Sequence, residues 1–138
     1  MTTAKLPTPI ASHNPVVILR HVIKAIEAEP KRYDQMTFLD RRGLEDRDFP
    51  RPDEDYPACG TICCVAGWVA ILKGQPKLPY GEQEYFAADV LGLDAPEALQ
   101  LFAADAVPRR DRIGVTRHAK AGIAHIRRFA LKKWGVRL

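Results

Sequence analysis

The stretch Cys59-Gly-Thr-Ile-Cys-Cys-Val-Ala-Gly-Trp-Val-Ala-Ile-Leu72 decides how this chain is read. From about Thr61 to Lys73 it predicts a helix that is apolar all round, and a helix with no polar side belongs in the centre of a fold rather than on its surface. Gly67 would let another helix approach closely, and Lys73-Gly74 is a stop signal. All three cysteines, Cys59, Cys63 and Cys64, stand at or near the entrance of this helix.

Working outward, residues 1–13 form a proline-bearing leader, and Asn14-Pro15 reads as a helix start. Asn can accept from free backbone N–H groups there, and Pro fits the first helical position, where its missing donor is not needed. Through Ala28 the residues Ile18, Leu19, Val22, Ile23 and Ile26 share one face, and Glu29-Pro30 ends the helix. Residues 31–58 read as a long loop with a short helical turn near Asp34 to Leu39, its aromatics serving as pegs into the core. Beyond the central helix, a further one is expected from Glu82 to Leu91, closed by Gly92. Asp94-Ala-Pro-Glu97 then holds the parts of a capping box that restarts the chain. The last helix runs from about Thr116 to Trp134, with Ala119, Gly122, Ile123, Ile126, Ala130 and Trp134 inward and His118 and His125 on its flank. No segment alternates convincingly as a strand, and no repeat occurs. The expectation is an all-α fold, a single small domain of about five helices around a buried central helix, with room for a small β element in the loop.

Composition fits that expectation. A chain of 138 residues with 46% hydrophobic and 28% charged content suits one core. The first residues lack the apolar block of a secretory signal, and no segment approaches the ~18 apolar residues that cross a bilayer. An odd number of cysteines, two of them adjacent, argues against a secreted disulfide framework and for reduced thiols. A cytoplasmic protein without a membrane partner is expected. The formal net charge of +4 is mild, but its distribution is uneven. From Arg109 to Leu138 ten Lys or Arg residues face the single Asp111, whereas Gly81 to Asp105 carries six carboxylates and no Lys or Arg.

Three kinds of chemistry can be weighed on these residues. A thiol enzyme places its nucleophile at the N-terminus of a buried helix, where thiolate is favoured over thiol. Cys59 fits that position, and of His13, His21, His118 and His125 only His118 and His125 share a helix face that could supply a base. Core packing of the cysteines is the plainer reading. Zinc would use Cys59 and Cys63, four residues apart, but the second ligand pair of a structural site is missing, so neither metal nor cofactor is expected. The acidic residues between Asp46 and Asp55 lack EF-hand spacing. Arg117, Lys120, Arg127, Arg128 and Lys132 face outward on the last helix and could lie against phosphates, though a solvated face looks the same and no base-reading motif accompanies them.

The combination Arg32-Tyr-Asp-Gln-Met-Thr-Phe38, Cys59-Gly-Thr-Ile-Cys-Cys-Val-Ala-Gly-Trp68, Leu91-Gly-Leu93 and Leu101-Phe102 resembles a group of short bacterial and phage proteins built on a Cys-Gly-Thr-x-x-Cys-x-Ala-Gly-Trp core. The resemblance covers roughly the middle half of the chain. It implies a phage or mobile-element origin and carries over no catalytic residue. The function expected is that of a small interaction protein binding a macromolecular partner, with protein preferred over nucleic acid. The alternatives are a cysteine-dependent hydrolase or transferase using Cys59 and a nucleic-acid-binding module using the basic last helix.

Overall fold

The computed structural model describes residues 8–30, 64–75, 78, 82–103 and 115–138. The expected long loop, its helical turn, Cys59 and Cys63 lie outside the described residues. Among the described residues there are five α-helices and no strand: α1 (Pro15–Ala28), α2 (Val65–Leu72), α3 (Glu82–Leu91), α4 (Ala95–Phe102) and α5 (Val115–Trp134).

α1 begins and ends where its local signals lie. Asn14 Oδ1 accepts from the Val16 N–H at 2.9 Å, with Pro15 in the first helical position. Ile18, Leu19, Val22, Ile23 and Ile26 are buried, each contributing on the order of 1.5–3 kcal/mol by leaving water.

All eight residues of α2 are buried. The expectation of a central apolar helix is met, and α2 packs against α1, α3 and α4. Its start differs from the expected Thr61, because Cys64 is extended at φ −73° and ψ 178° and occupies the N-cap position. The one hydroxyl-bearing residue of capping type in the run is Thr61, three positions before Cys64, so the sequence signals set the start too early. At the other end Gly74, at φ 78°, takes the left-handed conformation that terminates a helix. The Gly74 N–H donates to Ile71 O at 3.0 Å and the Gln75 N–H to Ala70 O at 2.8 Å. The preceding chain crosses this end: the Ile10 N–H donates to Leu72 O at 2.8 Å, and Lys73 Nζ donates to the carbonyls of Ile10 and Ser12 at 3.2 and 3.0 Å. Carbonyls that a helix leaves unpaired are satisfied in this way.

α3 and α4 are joined by a tight reversal. Gly92 sits at φ 68°, and the Leu93 N–H reaches back to Ala88 O at 2.8 Å. The capping box is formed in both directions, with the Glu97 N–H donating to Asp94 Oδ1 at 2.9 Å and the Asp94 N–H to Glu97 Oε1 at 3.0 Å. α3 turns Gln83, Ala87 and Leu91 inward and α4 turns Leu101 and Phe102 inward.

α5 closes the core over α1 and α4. Ala119, Gly122, Ile123, Ile126 and Ala130 are buried as expected, and Trp134 is half-buried, edge-on to Phe129 with ring centroids 5.8 Å apart. His118 departs from its expected place on the flank: it is 4% exposed and part of the interior. No described helix is long and apolar enough to cross a membrane.

Candidate functional site

The residues that thiol chemistry would use are only partly among the described residues. Cys59 lies outside them, and the cysteine found at the entrance of α2 is Cys64, which is fully buried. His118 is also buried. His125 is half-buried, and its Nε2 lies 3.0 Å from the Gln100 carbonyl oxygen, to which the neutral ring donates. Burial holds the His125 pKa below its ordinary value, helped by the nearby Arg128 charge and opposed by the hydrogen bond to Gln100.

The five basic residues are all exposed along α5: Arg117, Lys120, Arg127, Arg128 and Lys132. At 1.5 Å per residue the helix that carries them is about 30 Å long, and no carboxylate interrupts the sequence from Val115 to Trp134. They do not act as one uniform strip. Arg127 Nε donates to the Leu138 carbonyl at 3.2 Å, which folds the end of the described chain back along α5. Neighbouring Lys133 forms an ion pair with Glu97 of α4. Lys120 and Arg127 also border a groove of about 490 Å³ between α1 and α5, where Glu27 offsets part of their charge and the wall ends at Pro30.

A second groove, between α3 and α4, was not visible in the sequence. It encloses about 430 Å³. Tyr85, Ala88 and Asp89 line it from α3, and Ala95, Ala98 and Leu99 from α4. Both sets follow the i, i+3, i+4 spacing that brings side chains onto one helix face. Alanines meeting across the tight Gly92 turn leave a trough rather than a filled seam, and Leu93 lies in its wall. Tyr85 is 81% exposed and Leu99 69% exposed. Glu84, Asp89 and Asp94 supply carboxylates to the lining. Asp94 is engaged in the capping box, whereas the side-chain carboxylates of Asp89 and Glu84 have no hydrogen-bond or ion-pair partner among the described residues. Burial pushes the Glu84 carboxyl above its ordinary value.

The chain matches no family model, no curated protein and no solved structure.

The case for a site therefore rests on chemistry. Among the described residues, the α3–α4 groove is lined by the carboxylates Glu84, Asp89 and Asp94 and by no His, Cys, Ser or Lys. It offers an apolar floor, two large exposed side chains and a one-signed edge, which is the equipment of a binding surface. The available sequence signal was Tyr85, a large aromatic flanked by Glu82 and Glu84 on a helix whose inward face holds Gln83, Ala87 and Leu91.

Proposed function

We propose that this chain is a small interaction protein that binds a protein partner through the α3–α4 groove. The observation that carries the reading is the exposure of Tyr85 and Leu99 together on one alanine-floored trough. Single exposed hydrophobics are ordinary on a protein surface, but two that share a concavity can be covered together by one partner. The odd and partly adjacent cysteines support a reducing, cytoplasmic setting.

A photoreactive benzoylphenylalanine in place of Leu99 tests this in cells that produce the protein naturally. Irradiation should yield one discrete protein adduct, suppressed by Tyr85→Ala in the same chain, while the same group at exposed Lys24 on α1 yields none. A diffuse ladder from both positions, or no adduct from position 99, would remove the groove as the docking surface.

The second reading is a nucleic-acid-binding module. It is favoured by one observation, the exposure of Arg117, Lys120, Arg128 and Lys132 on a helix free of carboxylates. Such a face supplies the sequence-independent part of affinity for a polyanion. The acidic groove contributes nothing to that binding.

A further inference from the structure

We propose that the occupant of the α3–α4 groove is a cationic amphipathic segment of another protein, one that places apolar side chains between Tyr85 and Leu99 and Lys or Arg against Glu84 and Asp89. This inference rests on the reading of the groove as a protein-docking surface and names the partner's chemistry.

Charge complementarity selects that chemistry. The whole span from Gly81 to Asp105 contains six carboxylates and no Lys or Arg, so α3 and α4 supply no counter-charge of their own. The nearby cation from another helix, Lys133, is taken by Glu97. Glu84 is half-buried, and its carboxyl is pushed up by burial with no cation beside it among the described residues. A partly desolvated carboxylate without a partner is relieved when an ammonium or guanidinium approaches, because the attraction strengthens as water leaves. An anionic ligand, whether nucleic acid or an acidic lipid surface, meets like charge here.

The apolar trough restricts the choice further. A bare polycation would satisfy Glu84 and Asp89 but leave Tyr85 and Leu99 in water. An apolar neutral segment would cover those two side chains and bury carboxylates without compensation, which is costly. Only a segment with both features covers the surface without loss. A groove between two helices takes such a segment most readily as a helix with anchors at i and i+3 or i+4. A second copy of this chain could offer Leu131 of α5 amid Arg127, Arg128 and Lys132, but that face has one large exposed apolar side chain for a groove that presents two.

Three synthetic peptides of equal length decide the matter by fluorescence anisotropy with the full chain. One carries Leu at helical spacing with Lys on its other positions; the second has Glu in place of Lys; the third has Ser in place of Leu. The Lys/Leu peptide should bind at least about tenfold tighter than either of the others and weaken as salt is raised. Tyr85→Ala with Leu99→Ala, and separately Glu84→Gln with Asp89→Asn, should each weaken it by about tenfold or more. These positions are on the groove lining rather than in the core, and unchanged thermal unfolding of the variants shows that binding, not folding, was lost.

Equal, Tyr85-dependent binding of the Lys/Leu and Glu/Leu peptides would overturn the cationic assignment and leave the docking reading intact. Equal binding of the Lys/Leu and Lys/Ser peptides would overturn it as charge attraction alone. Binding by none of them would overturn it as well, and the Leu99 cross-link then decides separately whether the groove docks any protein. Concentration-dependent self-association at low salt, abolished by Leu131→Glu, would make a second copy the occupant instead.

Discussion

His125 on α5 and Gln100 on α4 are joined by a hydrogen bond of 3.0 Å between the imidazole Nε2 and the backbone carbonyl. Gln100 lies in the last turn of α4, where carbonyls have no partner within the helix, so the ring satisfies a group the helix leaves open. A helix C-terminus also favours a protonated imidazole. Burial and the Arg128 charge outweigh both effects, and the folded-state pKa lies below the ordinary 6.5.

The pH dependence follows from that direction. With its pKa depressed by folding, His125 takes up its proton more readily in the unfolded chain. Its share of stability is complete above the unfolded value near 6.5 and is lost as pH falls from there toward the folded value. Thermal unfolding should therefore move to lower temperature between about pH 7.5 and 5. His125→Gln keeps a donor for Gln100 and has no proton to gain, so its melting temperature should fall less steeply over that range. Identical pH slopes for the two proteins would show that the ring is not the titrating group.

Trp68 is 1% exposed on α2, a helix whose eight residues are all buried. Trp68→Ala opens a cavity in the hub that α1, α3 and α4 share, and should cost roughly 3–5 kcal/mol. That is a large part of the 5–15 kcal/mol typical of a folded domain, so the urea midpoint should fall sharply or the chain should fail to fold cooperatively. A midpoint unchanged by the substitution would contradict the central placement of α2.

The capping box of α4 gives a graded pair of variants. Asp94→Ala removes the acceptor for the Glu97 N–H and should cost about 0.5–2 kcal/mol. Glu97→Gln retains an oxygen for the Asp94 N–H and loses only the ion pair with Lys133, so its urea midpoint should fall less. The hydrogen bond from Lys133, and after it that from the Asp94 backbone, holds the Glu97 carboxyl below its ordinary value. Its contribution is thus present above pH 4.5 and is lost on further acidification, a loss that Glu97→Gln should not show. A larger loss for Glu97→Gln than for Asp94→Ala would invert the assignment.

What was legible in the sequence was written locally. Asn14-Pro15, Lys73-Gly74, Leu91-Gly92 and Asp94-Ala-Pro-Glu97 each place backbone-specific residues at a helix end, and the structure has a helix end at every one. The sequence sets the start of α2 too early because Thr61 is the one hydroxyl-bearing capping residue between Cys59 and Leu72, whereas the N-cap position is held by Cys64. The sequence places His118 on the flank because angular position fixes which way a side chain leaves a helix but not how far the neighbours wrap around it. The groove is not legible in the sequence for a related reason. Tyr85 and Leu99 belong to different helices, and only the reversal at Gly92 brings their faces together.

The basic face of α5 makes a prediction that separates the two functional readings. Arg117, Lys120, Arg127, Arg128 and Lys132 are exposed, and each one that meets a phosphate releases a counterion, so affinity for a polyanion should fall steeply with salt. Charge alone sets a modest level, ~10⁻⁴–10⁻⁶ M at physiological salt, since reading a sequence needs side chains placed against base edges. Arg127 is already held by the Leu138 carbonyl, and Lys133 beside Lys132 is paired with Glu97, which reduces the cations free to engage phosphate. Duplex and single-stranded oligonucleotides titrated at two salt concentrations should therefore show weak binding without sequence preference. Arg127→Ala with Arg128→Ala should weaken it about equally for every sequence and lower the salt slope by no more than about two. Nanomolar binding to one sequence, lost in that double variant, would instead make nucleic acid the partner and leave the α3–α4 groove without its proposed role.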